Sequence, residues 1–358
     1  MNAMSMARCF AIGPIVMSAE PYGNGHINNT YRVVTPDGAY ILQRVNRYVF
    51  KKPEQVMDNI VRVTDYLQRI IRSEGGDPRR ETLTLVPSLE GGTHVLDEEG
   101  ELWRMYLCIE GVVTRDLPDT PELFALSGEA FGRFQSRLGE FDTSLLHETI
   151  PNFHNTPARY RQLMDAVAED RAGRLRDVSS ELAFARAREA ETRLLLDEVD
   201  RGTLPIRVTH NDTKLNNVLL DRASGEGVCV IDLDTVMPGL VAYDFGDAIR
   251  TGASTAAEDE EDLAKVDISL PMFEAFARGF LSRLRGILTP REIELLPMGA
   301  KMMTLENGLR FLADHLNGDL YFRVHRAGHN LARARAQFRL VQRMEEKWED
   351  MQRIVARL

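Results

Sequence analysis

The run Val208-Thr-His-Asn-Asp-Thr-Lys-Leu-Asn-Asn-Val-Leu-Leu220, followed by Val228-Cys-Val-Ile-Asp-Leu-Asp-Thr235, constrains this chain more than any other stretch. Its two short apolar runs read as strands, and a polar loop precedes the first. The loop carries Asp212, Lys214 and Asn217, and the second strand ends at Asp232. A carboxylate that can orient a hydroxyl and take its proton, followed by an amide and a carboxylate that can hold a divalent cation, is the layout that phosphoryl transfer requires. In that layout Asp212 is the base, Lys214 neutralises the transferring phosphate, and Asn217 and Asp232 bind Mg²⁺. His210 orients the loop through hydrogen bonds. The competing reading is a polar turn whose Asn and Asp side chains only cap backbone groups.

Two further carboxylates lie close by. Asp234 falls on the same side of a strand as Asp232, so it is a supporting group or an alternative ligand. Asp244-Phe-Gly246 spells a metal-binding tripeptide, but it follows the turn Met237-Pro-Gly239 and not an apolar strand. Asp232 therefore has the better claim, and Asp244 reads as a helix cap or a support for the loop.

Composition narrows the partners. A net charge of -10 argues against nucleic acid, which needs a basic face, but leaves room for one nucleotide held by a few cations and Mg²⁺. Three scattered cysteines suit a reducing compartment. No apolar run reaches the roughly 20 residues of a membrane span, and no signal peptide is evident. The expectation is a cytoplasmic protein.

Along the chain, Thr30–Thr35 and Ala39–Val45 read as strands joined through Pro36-Asp37-Gly38. Pro53 opens a helix with Val56, Ile60, Val63, Leu67 and Ile70 on one face. Strands are expected at Thr82–Pro87, His94–Asp97 and Leu102–Ile109. From Pro121 the pattern turns helical, with Phe124, Phe131, Phe134 and Leu138 on one face. Pro157–Asp200 reads as helical, and so does nearly everything after Ala257; the acidic run Glu258–Asp262 reads as a solvated loop or helix start. The fold class is α+β, with a small β-rich lobe over residues 1–110 and a larger, mainly helical lobe over 111–358.

The N-terminal region offers Gly23-Asn24-Gly25-His26-Ile27-Asn28 before its first strand pair. Gly23 and Gly25 would let backbone amides approach a phosphate, although the third glycine of the usual loop is missing. Arg44 stands where a strand cation would pair with phosphate, with Glu54 and Asp58 as its early acidic partners. By residue type alone, His26, Arg310 and Tyr321 carry little signal.

The His210-Asn-Asp-Thr-Lys-Leu-Asn-Asn217 and Ile231-Asp-Leu-Asp-Thr235 segments resemble those of the aminoglycoside phosphotransferase and choline kinase superfamily. More narrowly, the chain resembles the bacterial N-acetylhexosamine 1-kinases. That match runs through Tyr40-Ile-Leu-Gln43, Phe153-His-x-Thr-Pro157, Asp244-Phe-Gly-Asp247, Gly252-Ala-Ser-Thr255, Arg310-Phe-Leu-Ala-Asp314, Gly318-Asp319 and His329-Asn-Leu. The resemblance implies a bilobal protein-kinase-like fold with ATP and Mg²⁺ between the lobes. It also implies phosphorylation of the anomeric hydroxyl of N-acetylglucosamine or N-acetylgalactosamine. Under it, Asp212 is the base, Asn217 and Asp232 hold metal, and His26, Arg310 and Tyr321 contact the sugar. The chain departs from the pattern at Arg44, where the narrower family carries glutamine, and at Asn24, which replaces an acidic residue. The alternatives are a kinase of the same superfamily acting on an aminoglycoside, choline or homoserine, and a silent nucleotide-binding module.

Overall fold

The structure is a computed structural model that describes residues 2–23 and 27–358. Contacts between backbone positions divide it into two compact units. The first comprises Met1–Thr114, Arg137–Pro151 and Asn217–Pro238; the second comprises Arg115–Ser136, Asn152–Asn216 and Gly239–Leu358.

The first unit is built on an antiparallel sheet of β1 (Ser18–Pro21), β2 (Asn29–Thr35), β3 (Gly38–Arg44), β4 (Val95–Leu96) and β5 (Leu102–Leu107), in the order β1-β2-β3-β5-β4. The β2–β3 hairpin turns at Pro36-Asp37, and Gly38 takes φ 151° there. Successive side chains alternate between faces. Tyr31, Val33, Tyr40, Leu42, Trp103 and Met105 pack on one face against Met6, Phe10 and Val86. The other face presents Gln43 opposite Arg104.

The helix Pro53–Ser73 buries Val56, Ile60, Val63, Leu67 and Ile71. Ile71 takes the place expected for Ile70, because a 3.6-residue repeat continues from Leu67 to the fourth residue on. The strand expected at Thr82–Pro87 is reduced to one bridge, Leu85 to Tyr106. The segment still lies along β5, with Val86 N–H donating to the Met105 carbonyl at 2.8 Å and Leu107 N–H to the Thr84 carbonyl at 2.9 Å. The short strand β6 (Val112–Val113) pairs with Val218–Asp221, which pairs in turn with Gly227–Val230.

Helices dominate the second unit. Phe124, Phe131 and Phe134 are buried as their spacing predicts. The helix expected over Pro157–Asp200 is broken into Thr156–Glu169, Ser179–Arg186 and Leu194–Asp200. Asp170 ends the first piece in the left-handed conformation, at φ 38°, and donates its N–H back to the Ala166 carbonyl. The helices Val241–Gly252 and Leu296–Leu316 touch backbone to backbone. A Cβ on Gly246 would sit 2.3 Å from the Gly299 carbonyl oxygen, and one on Gly299 would sit 2.2 Å from that of Ala242.

Candidate active site

In the second unit, the strand Arg207–Thr209 leads into the loop that carries Asp212 and Lys214. Asn211 has φ 64°, a conformation that asparagine tolerates better than most residues. Asp244 holds the turn. Fully buried in the first turn of Val241–Gly252, it accepts the N–H groups of His210 at 2.9 Å and Asn211 at 2.7 Å, and an N–H of the Gln135 amide. It is a support for the loop and not a helix cap. Burial pushes the Asp244 carboxyl up, and the donors around it work against that shift. Asp247, one turn on, accepts Thr213 N–H at 3.1 Å and is paired with Arg250.

His210 is buried edge-on against Phe131 and Phe134, and its Nδ1 accepts the Asp212 N–H at 3.3 Å. It acts on the loop, as its sequence position suggests. The Lys214 ammonium lies 2.6 Å from Asp212 Oδ1. The carboxylates of Asp212 and Asp247 hold it above the usual lysine range, so it is a cation throughout the neutral pH range.

Arg310 and Tyr321 are brought together. The Arg310 guanidinium stands 5.7 Å from the Phe153 ring centroid, 5.9 Å from that of Tyr321 and 5.3 Å from that of Phe322. Asp314 fixes this loop by accepting the N–H groups of Leu320, Tyr321 and Phe322 at 2.8–2.9 Å. Arg159 joins from the helix Thr156–Glu169 and donates to the Phe153 carbonyl at 2.9 Å. Burial, and then the charge of Arg310, lower its guanidinium from the ordinary value. The acidic run after Ala257 is not merely solvated: Glu258 pairs with Arg250, and Asp259 with Arg326 and His329.

In the first unit, Asn217 closes a short 3₁₀ turn, and its carbonyl accepts Ile231 N–H at 2.9 Å. The pairing of Val218 with Val230 continues that contact, so Asn217 and the Ile231–Asp232 step are neighbours. Asp232 has φ 60° and sits just past the end of its strand. Their side chains carry an amide oxygen and a carboxylate, hard donors of the kind Mg²⁺ takes.

Asp234 turns toward the sheet. Its carboxylate lies 2.5 Å from Arg104, and Asn28 donates to it at 2.6 Å. Arg104 is 1% exposed and donates twice to Gln43 Oε1, at 3.0 and 2.8 Å. Burial alone would lower this guanidinium; Asp234, with Asp232 behind it, holds it above the ordinary value instead. The sequence reading missed Arg104. Within Leu-Trp-Arg-Met-Tyr-Leu a lone arginine looks like a solvated strand residue, and its acidic partner lies far along the chain. Arg44 is on the opposite face, with its guanidinium 5.8 Å from the Trp103 ring centroid. Asp58 is engaged with Arg62 and His147.

Gly23 has φ 79°, a conformation that favours glycine. Gly25 and His26 lie outside the described residues.

Solved structures share this fold across almost their full length. A microcompartment-associated aminopropanol kinase is 16% identical, covers 98% of this chain and 97% of its own, and has a TM-score of 0.63. An aminoglycoside phosphotransferase from Alicyclobacillus acidocaldarius is 12% identical over 100% and 97%, with a TM-score of 0.62. A spectinomycin phosphotransferase in complex with ADP and spectinomycin is 12% identical over 99% and 96%, with a TM-score of 0.54. The fold is thus α+β and kinase-like, with a small β-sheet part and a larger helical part. The sequence model described as the phosphotransferase enzyme family, APH, matches residues 18–279, which include the loop, its supporting aspartates and the Asp-Leu-Asp turn; the chain belongs to that family.

Proposed function

We propose that this phosphotransferase moves the γ-phosphoryl group of ATP to the anomeric hydroxyl of an N-acetylhexosamine by direct in-line transfer. Residues 1–110 would bind the nucleotide, and 111–358 would carry the catalytic loop and the sugar site. Asp212 orients the hydroxyl and takes its proton. The anomeric hydroxyl is more acidic than other sugar hydroxyls, so a carboxylate is an adequate base. Lys214 faces the phosphoryl group as it transfers, and the backbone at Gly23 and Gly25 approaches the nucleotide phosphates. Asn217 and Asp232 would hold Mg²⁺, which supplies charge neutralisation on the phosphate oxygens. Arg104, on the sheet face with Gln43, is a better placed buried cation than Arg44 for that part of the molecule.

The observation that carries the acceptor assignment is the Arg310 cluster. Two guanidiniums gather on Phe153, one over its ring and one on its carbonyl. That arrangement suits hydroxyl and acetamido oxygens, which accept hydrogen bonds, and repels an ammonium group. Tyr321 adds an exposed ring on which a sugar face can rest. His26 is assigned to the same acceptor by resemblance. The amine-bearing substrates in the names of related structures define the rival reading, in which the acceptor is an amino alcohol or an aminoglycoside. With no helix among the described residues long and apolar enough to cross a membrane, the proposed setting is the cytoplasm.

ADP release measured with N-acetylglucosamine, N-acetylgalactosamine, ethanolamine, choline and an aminoglycoside separates the readings, because turnover confined to the amines would end the sugar assignment. Phosphorus NMR of the product shows whether phosphate sits on the anomeric carbon. Asp212→Asn should lower turnover by about 10²–10⁴-fold with ADP binding retained.

A further inference from the structure

The segment His154-Asn155-Thr156-Pro157, which follows Phe153 of the Arg310 cluster, has no part in the chemistry above, yet it reaches the catalytic loop. His154 is buried, with Nδ1 3.0 Å from Glu306 Oε1 and Nε2 3.3 Å from the Asn211 carbonyl oxygen. Thr156 donates to Glu306 Oε2 at 2.9 Å, so both carboxylate oxygens are engaged. Burial opposes ionisation of Glu306, but the hydrogen bond from His154 and the charges around it, including Arg310 and Arg159, hold the carboxyl below its usual range. A backbone carbonyl only accepts, so the His154 nitrogen that faces Asn211 donates to it.

The Asn211 carbonyl and the Asp212 N–H belong to one peptide group. That group is therefore gripped at both ends, its oxygen by His154 and its N–H by His210 Nδ1. It leaves a residue at φ 64°, where asparagine has no deep conformational well to hold it in place unaided. On the far side, Glu306 lies one helical turn before Arg310 on Leu296–Leu316, so the two share a face.

We propose that His154 and Glu306 are a positioning pair that sets the tilt of the Asn211–Asp212 peptide group, and so the aim of the base, from the helix that carries Arg310. The proposal rests on Asp212 being the base and does not depend on which alcohol is the acceptor. Its signature is loss of turnover without loss of nucleotide binding, since the hydrogen bonds of the pair end on the loop backbone and on Thr156.

The test uses the full chain and two double variants. His154→Phe with Glu306→Leu removes both polar groups together and leaves no lone buried charge. His154→Gln with Glu306→Gln returns an N–H donor toward the Asn211 carbonyl. Turnover is read with N-acetylgalactosamine and, independently of any acceptor, as ATP hydrolysis to water; ADP affinity and the thermal midpoint are read alongside. The apolar pair should lower kcat about 10²-fold, the scale of a small misplacement of a reacting group. Its ADP affinity should stay within about threefold, and the glutamine pair should recover to within about tenfold of the native rate. Native kcat in the apolar pair overturns the proposal, as does a loss that only follows the fraction unfolded. If the apolar pair does not fold, Glu306→Gln alone decides: reduced kcat with unchanged ADP affinity supports the pair, and unchanged kcat overturns it. Asp212→Asn runs in parallel. Normal turnover there removes the base itself, whereas an inactive Asp212→Asn beside a fully active apolar pair removes only the positioning role.

Discussion

Asp234 in the first unit and Asp244 in the second are both buried, at 3% and 0% exposure, yet their charges are met in different ways. Asp234 faces side chains: Arg104 at 2.5 Å and the Asn28 amide at 2.6 Å. Asp244 faces the backbone, taking two successive N–H groups of the loop, and the Gln135 amide completes its set. A pair of side chains satisfies charge, and it can be exchanged as a pair. A carboxylate that gathers peptide N–H groups fixes a backbone shape, and its donors cannot be mutated away. The first arrangement stabilises a turn; the second dictates the path of the loop that holds Asp212.

Four measurements can break or sharpen this contrast. The largest effect is expected for Asp244→Ala, which leaves buried N–H groups without an acceptor. It should cost about 4 kcal/mol in urea unfolding, and no second side-chain substitution should restore it. Arg104→Met should cost about 3 kcal/mol, because Asp234 is left as a lone buried charge, and adding Asp234→Leu should bring the loss down to about 1 kcal/mol. If the double variant is no better than the single, the pair is not exchangeable and the contrast fails. Gly246→Ala comes next, at about 2 kcal/mol, since its Cβ would press on the Gly299 carbonyl behind the helix that carries Asp244. Tyr321→Ala should change stability by less than about 0.5 kcal/mol, because the ring is 66% exposed, while raising the acceptor KM.

Acid titration adds a check on the second unit. Hydrogen bonds from Arg291 and Thr203 hold Glu198 at about 2, against 4.5 for the free group. A depressed carboxyl stabilises the folded chain above the unfolded value and loses that contribution as pH falls toward the folded one. Glu198→Gln should therefore flatten the fall in stability between pH 4.5 and about 2.

What the sequence made legible follows from the range of each interaction. The β2–β3 hairpin and the helix Pro53–Ser73 were readable because turn residues and a 3.6-residue repeat act within a few positions. The stretch from His210 to Asn217 was readable as a polar loop because it lies between two short apolar strands close along the chain. The break after Glu169 was not: a left-handed cap at Asp170, Gly173 at φ 65° and a 3₁₀ turn over Leu175–Asp177 interrupt a stretch whose flanking residues favour helix. Arg104 with Asp234, and His154 with Glu306, were hidden for a different reason: each pair is joined across more than a hundred residues, and neither partner announces burial by its own chemistry. The sequence offered Asp244 as a helix cap or a support for the loop and could not choose between them, because an N–H acceptor has no partner residue type to search for.

One feature of the turns limits how they can be probed. Asn211 and Asp232 both sit at positive φ, at 64° and 60°. Alanine at either place would remove a side chain and also impose about 1–2 kcal/mol of backbone penalty, so an alanine scan there confuses two injuries. Glycine separates them: it leaves the bend permitted and deletes only the functional atoms. Few side chains tolerate that torsion, which leaves random drift little silent room at these two positions.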